Sequence, residues 1–157
     1  MGPVSIHIEP ADQSDVDRLL QLSDAVAARL YPGEYRKPIT GKVLDSAGIE
    51  VFVARLKDKA IGCVASFDLG DGVVELKRLI VDPDHQGQGI GRALVCAMLE
   101  ACRRRDIRAV VLEVGIRNIE ARQLYEKLGF RNRDAFGNYQ PTPVATFMQY
   151  DLVLPIR

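Results

Sequence analysis

The sequence is poor in the residues that build metal centres and disulfide frameworks. It has three cysteines, Cys63, Cys96 and Cys102, and two histidines, His7 and His85, in 157 residues. The cysteine count is odd and no pair has C-x-x-C spacing, so neither a zinc site nor a set of bridges is indicated. Small apolar core residues in a reducing compartment account for them better. An excess of either charge is also missing, because Lys+Arg and Asp+Glu both number 21. Broad nucleic-acid or membrane-surface binding needs a basic excess, so a nucleic-acid or membrane partner is not expected, although a local basic pocket is compatible. No apolar run approaches the length that crosses a bilayer. The start, MGPVSIHIEP, lacks the basic-then-apolar pattern of a signal peptide and has no Ser or Thr at position 6 for myristoylation. The expected location is the cytoplasm.

What is present is a globular composition, 47% apolar and 27% charged, in a length that suits one domain over residues 1–157. No repeat, low-complexity tract or linker interrupts it. Val4, Ile6 and Ile8 alternate as a short strand. Asp12 or Ser14 then caps a helix with Val16, Leu19, Leu20, Val26 and Leu30 on one face. LYPGEYRKP breaks that helix, and a short one is expected around Lys42–Ser46. From Glu50 the period becomes two: EVFVARL, AIGCVASF and VVELKRLIV form an antiparallel meander, with turns at Lys57-Asp58-Lys59 and at LGDG. A helix follows from Gly89 to Arg104, with Ile90, Leu94, Ala97, Met98 and Ala101 inward. RAVVLEV reads as a buried strand parallel to Val73–Val81. IEARQLYEKL is a helix with Ala121, Leu124, Tyr125 and Leu128 inward, stopped by Gly129 and Phe130 in a Schellman turn. FGNYQPTP is a loop and VATFMQYDLVL a final strand. The fold class is α/β with a mixed, mostly antiparallel sheet.

The stretch VVELKRLIVDPDHQGQGIGR, Val73 to Arg92, passes from strand through a glycine-rich loop into a helix. Free backbone N–H groups at a positive helix end make an anion site there. The dinucleotide fingerprint G-x-G-x-x-G fails, because Arg92 stands where the third glycine belongs. The P-loop fails because no G-K-S/T follows. What remains is Q-x-x-G-x-G, on Gln86, Gly89 and Gly91. Glycines let the backbone close round a pyrophosphate, and Arg92 adds countercharge.

This pattern, R/Q-x-x-G-x-G/A between a strand and a helix, resembles motif A of the GNAT superfamily of N-acetyltransferases. EVGIRNIEARQLYEKLGF resembles the family's motif B, with Asn118 and Tyr125 on its Asn and Tyr positions. The resemblance runs from Glu50 to Leu152. It implies one GNAT domain, its central parallel strands splayed and flanked by helices, and acetyl-CoA as cofactor. The pyrophosphate would lie on Gln86, Gly87, Gln88, Gly89, Ile90, Gly91 and Arg92. The pantetheine arm would pair with Leu79, Ile80 and Val81. In the family a bulge opens that gap; none is legible in these residues. His85 either touches the pyrophosphate or is a solvated turn residue.

Amide formation from a thioester needs a proton taken from the amine, an oxyanion stabilised and a thiolate released. Glu75 matches the family's general base, on one face with Lys77 and Leu79 by strand alternation. It also reads as an exposed carboxylate paired with Lys77 or Arg78. Tyr125 matches the general acid, or packs only. Asn118 orients the pantetheine, caps its helix, or both. A backbone N–H of Leu79–Val81, that of Ile80, is expected to meet the oxyanion. No cysteine stands on a catalytic position, which implies direct transfer in a ternary complex.

Acceptor choice in the family comes from the N-terminal helices and the loop before the last strand. Tyr31, Tyr35, Phe136 and Tyr139 are expected to wall a pocket for a small-molecule primary amine. Lys77 or Arg78 would hold a substrate carboxylate, pointing to an amino-acid-like acceptor. Early Leu30-Tyr31-Pro32-Gly33-Glu34 resembles a bacterial subgroup reading L-Y-P-x-E-S-x-H, but Tyr35 and Lys37 replace its Ser and His. Two rival readings stand beside this one: a protein N-terminal or lysine acetyltransferase, and a coenzyme A sensor without turnover. Dimerisation through the apolar last strand, as a homodimer, is permitted and undecided.

Overall fold

Along the chain come β1 (Val4–Glu9), α1 (Ser14–Leu30), α2 (Gly41–Leu44), β2 (Ile49–Leu56), β3 (Lys59–Gly70), β4 (Val73–Val81), α3 (Ile90–Arg104), β5 (Ala109–Gly115), α4 (Ile119–Leu128), β6 (Arg131–Arg133) and β7 (Ala145–Asp151). The structure is a computed structural model that describes residues 2–34 and 36–152. Tyr35 and the expected continuation of the last strand into residues 153 and 154 lie outside them. The strands make one sheet in the order β1-β2-β3-β4-β5-β7-β6. Every neighbouring pair is antiparallel except β4 and β5.

Helices cover both faces because each carries one apolar stripe. On one face α3 sets Ile90, Leu94, Val95 and Met98 against Val74, Leu76, Val110 and Leu112, with Tyr125 of α4 beside them. On the other, α1 sets Val16, Leu19 and Leu20 against Val51, Val53, Cys63 and Ile80. Ala97 and Ala101, expected inward on α3, are half-buried at the edge of its stripe, and Val95, Leu99 and Cys102 are buried in their place. A smaller cluster, Val111, Phe136 and Phe147, packs beside β5 and β7.

Three local expectations are corrected. Neither Asp12 nor Ser14 caps α1: Gln13 holds the cap position in extended backbone with no side-chain cap bond. The side chain of Gln13 is instead drawn to Glu9 and Arg55, in a polar cluster that joins β1, β2 and α1. The helix near Lys42 starts earlier, at Gly41, capped by Thr40, whose hydroxyl accepts from Val43 N–H at 3.3 Å. β6 is an edge strand of exposed Arg and Asn residues, whose lack of apolar alternation hides it in the sequence. The Schellman stop is present: Gly129 has φ 110, and Phe130 N–H reaches Tyr125 C=O at 2.9 Å.

The feature that positions the site is in β4. Cys63 of β3 pairs with Ile80, but Ala65 pairs with Lys77, so one residue too many is accommodated at Arg78–Leu79. Arg78 takes up the excess with a left-handed φ of 58. This bulge reverses the phase of the strand. Leu76 packs on the α3 side and Ile80 on the α1 side, although both numbers are even. Leu79 therefore does not share a face with Glu75 and Lys77 as simple alternation requires; it packs with the α3 cluster. Parallel pairing of β4 with β5 covers Val73–Glu75 and ends at Glu75 opposite Val111. Beyond that point the two strands part.

Candidate active site

The parting of β4 and β5 opens a cavity of about 520 Å³. α1 with Tyr31, Glu34, Arg36 and Pro38 walls one side, while Asn118, Ala121 and Tyr125 line the other. The space thus runs through the sheet rather than lying on it.

Glu75 is buried at 5% exposure, not an exposed strand carboxylate, and it does not pair with Arg78. The phenol of Tyr139 donates to its Oε2 at 2.7 Å, and Lys77 Nζ stands at 3.9 Å. Lys77 is held over the rings of Phe67 and Tyr139, 5.0 and 5.8 Å from their centroids. Glu113 of β5 completes this end of the cavity. Burial first, and then the charge of Glu75, push its carboxyl above the ordinary value, while Lys77 opposes. Burial, with the bond to Glu75, also raises the Tyr139 phenol. Tyr125 is buried, ring against Phe130 with centroids 5.4 Å apart, and burial alone raises its phenol above the usual range.

Phe136, expected in the acceptor wall, is not there. It packs edge-on with Tyr139 and Phe147 and serves the small core beside β5. Tyr31 does line the cavity, but its hydroxyl is engaged: it donates to Asn118 Oδ1 at 2.5 Å and accepts from Arg117 N–H at 3.0 Å. Asn118 sits at the cap position of α4 without making a side-chain cap bond, so the capping role is not seen. Gly115 makes the Tyr31 contact feasible, since a Cβ there would overlap the phenol oxygen.

In the glycine loop, Gly87 and Gly89 have φ 77 and 80, and a Cβ at either would meet open space. Left-handed backbone, not crowding, is what requires glycine there. Gly91 lies against Leu124 and Val81. Among the described residues, the N–H groups of Gly89, Ile90, Gly91 and Arg92 have no protein acceptor, as expected for a first helical turn. Arg92 is exposed and makes no ion pair among the described residues. Gln86 Nε2 donates to Val81 C=O at 3.4 Å. Asp82 N–H bonds Ile61 C=O and Cys63 pairs with Ile80, so alternation turns the Ile80 peptide toward β3. The backbone of Val81, and of Leu79 beyond it, faces the splay instead, which corrects the choice of Ile80 as oxyanion donor.

Sequence reasoning passed over four residues that the structure brings in. Asp82 is buried, accepts from Asp84 N–H at 3.0 Å and pairs with Arg18 at 3.3 Å, which ties the glycine loop to α1. Its carboxyl is lowered although burial opposes this, because the Asp84 N–H, Lys59 and Arg18 together outweigh it. Asp82-Pro83 is itself a turn-initiating pair and was the available signal. Arg36, Glu113 and Gly115 carry no such local signature.

The comparisons agree with this geometry. A model of the "Acetyltransferase (GNAT) family" matches residues 16–130. An "IAA acetyltransferase" of Azospirillum brasilense is 33% identical over 97% of this chain and 100% of its own length. The ribosomal protein bS18-alanine N-acetyltransferase of Escherichia coli strain K12 is 36% identical over 60% of this chain and 66% of its own. Among solved structures, a Klebsiella pneumoniae chain described as an acyl-CoA N-acyltransferase superposes with TM-score 0.82 at 28% identity, covering 96% of this chain and 98% of that one. The fold is also that of a Thermoplasma acidophilum N-acetyltransferase solved with coenzyme A, at TM-score 0.76 and 17% identity over 96% of this chain and all of that one.

Proposed function

The chain belongs to the acetyltransferase (GNAT) family and is an acetyl-CoA-dependent N-acetyltransferase; on that premise we propose that its acceptor is the primary amine of a small molecule, acetylated directly in a ternary complex. The observation that carries this reading is the cavity through the splayed sheet, with buried Glu75 and Tyr125 lining it.

The residues present fit the cofactor. Four acceptor-free N–H groups and the exposed Arg92 suit a pyrophosphate, and the splay beyond Glu75 suits a pantetheine arm. Acetyl-CoA supplies the activated thioester carbonyl. Gln86 to Arg92 hold its phosphates, and the backbone of Leu79 and Val81 aligns the arm. Glu75, kept in place by Tyr139, takes the proton of the incoming ammonium. Tyr125 Oη, protonated at neutral pH because its burial disfavours the phenolate, gives its proton to the sulfur. Asn118 and Tyr31 brace the junction of the two walls. The C–N bond would form as the C–S bond breaks; the second proton of the nitrogen would replace the one Tyr125 gave up, and Glu75 would pass its proton to water, so ammonium and thioester become acetamide, thiol and one released proton.

We place the protein in the cytoplasm, where reducing conditions suit free Cys63, Cys96 and Cys102. No described helix is long and apolar enough to cross a membrane. A second reading, acetylation of a protein N-terminus, has support from the similarity to the bS18-alanine enzyme. Free-thiol release from acetyl-CoA over a panel of small amines, amino acids and N-terminal peptides tests both. Turnover on small amines is expected; release with peptides alone favours the second reading, and binding of coenzyme A without release on any acceptor overturns both.

A further inference from the structure

One cation in the cavity, Arg78, makes no ion pair among the described residues. Arg78 is partly buried, and among the described residues its hydrogen bond is from Nη2 to Lys37 C=O at 3.2 Å, with no ion pair. Its Nε is buried and has no acceptor. Arg36 lies in the same half of the cavity, its Nη2 donating to Ser23 Oγ at 3.0 Å and to Asp24 Oδ1 at 2.7 Å. The Nε of Arg36 is likewise buried without an acceptor. Asp24 pairs with Arg36, Arg78 makes no ion pair among the described residues, and Glu34 stands exposed at the rim of the same cavity. At the other end Glu75 and Glu113 share Lys77, leaving one negative charge over.

A buried donor without a partner costs free energy, and such a cost persists where a ligand removes it. The planar guanidinium fork matches a carboxylate, and two forks can share one. Arg78 also sits in a left-handed conformation that Asn or Gly would adopt more cheaply, which ties a long cationic side chain to a strained position. Burial, then the nearby charge of Arg36, pull its guanidinium below the ordinary value, with Asp24 opposing. Lys77, the other sequence-level candidate, is already committed to Glu75 and two aromatic rings.

Resting on the acetyltransferase reading above, we propose that the acceptor is a zwitterion, a small amine that also bears a carboxylate. The carboxylate seats between Arg78 and Arg36, and the ammonium turns to Glu75 and Glu113.

The test uses the purified chain with acetyl-CoA and pairs of acceptors matched in length, ω-aminoalkanoates or α-amino acids against alkylamines. Wild type should favour the carboxylated member in kcat/KM by about 10- to 100-fold, the scale of one charge-assisted hydrogen bond. Arg78→Asn, which tolerates the left-handed backbone, should shrink that ratio toward one, chiefly through KM. Equal use of both members by wild type overturns the proposal and leaves acetyl transfer standing. Thiol release on no amine defeats the function reading itself, and the proposal with it. A measurement independent of the variant is inhibition of wild type by amine-free carboxylates. They should compete with the acceptor at lower concentration than their matched amides; no difference between the two overturns the proposal.

Discussion

Glu75 and Tyr125 differ in how their surroundings prepare them. Glu75 is buried but hydrogen-bonded by Tyr139 at 2.7 Å, so its charge is compensated. Tyr125 is buried with burial alone shifting it, so its proton is retained. Tyr125→Phe preserves the ring contact with Phe130 and should fold normally, yet slow single-turnover transfer about 100-fold or more. Glu75→Gln should cost a similar factor. A variant that keeps the wild-type single-turnover rate removes the role assigned to the replaced side chain. Motif spacing made Asn118 and Tyr125 legible in the sequence. The Tyr139–Glu75 bond was not, because 64 residues separate them and only the tertiary fold brings them together. Phe136 was misplaced for a related reason: aromatic character in a loop does not reveal which side of a neighbouring strand the ring will pack against.

At the scale of elements, the bulge in β4 decides which of its residues face α3 and which face α1. The β2–β3–β4 meander followed from alternation and turn chemistry and the parallel β4–β5 pair from the crossover rule, whereas the pairing of β1 with β2 and of β7 with β5 and β6 was not legible. Nor was the bulge, because Arg78 has none of the glycine or asparagine character that usually marks left-handed backbone. The prediction at this level concerns that backbone. Arg78→Val forces a β-branched residue into φ 58 and should lower stability by about 1–3 kcal/mol relative to Arg78→Asn. Urea unfolding of the two variants measures the difference; equal midpoints would show that the position is not held in that conformation. The short edge strand β6 escaped for a different reason, because its three exposed polar residues are fixed by pairing with β7 rather than by their own pattern.

For the whole molecule, a balanced net charge conceals opposed local titrations. Glu9 is lowered, chiefly by its hydrogen bond from Arg55, and Asp82 is lowered too, so each stabilises the fold above its ordinary value of 4.5 or 3.8 and loses that contribution as pH falls through its folded value. Glu113 has the opposite sign: raised from 4.5, it binds its proton more tightly in the folded chain, so stability falls as pH rises through that window. Glu113 is nevertheless solvent-exposed, so the effect is screened: Glu113→Gln should raise the thermal midpoint only slightly at pH 7, and the advantage should vanish below about pH 4, where wild type carries the proton itself. A midpoint difference that does not depend on pH would contradict the assignment.

Tyr31 adds a mechanical consequence. Its hydroxyl joins the end of α1, which walls the acceptor space, to Asn118 at the head of α4, which carries Tyr125. Arg117 adds a second tie, its Nη1 donating to Leu30 C=O at 2.8 Å, and a Cβ at position 115 would overlap the Tyr31 phenol. A ligand that displaced α1 would therefore act on α4, which carries Tyr125. Whatever factor the acceptor gains or loses from bound cofactor, the cofactor must gain or lose from bound acceptor.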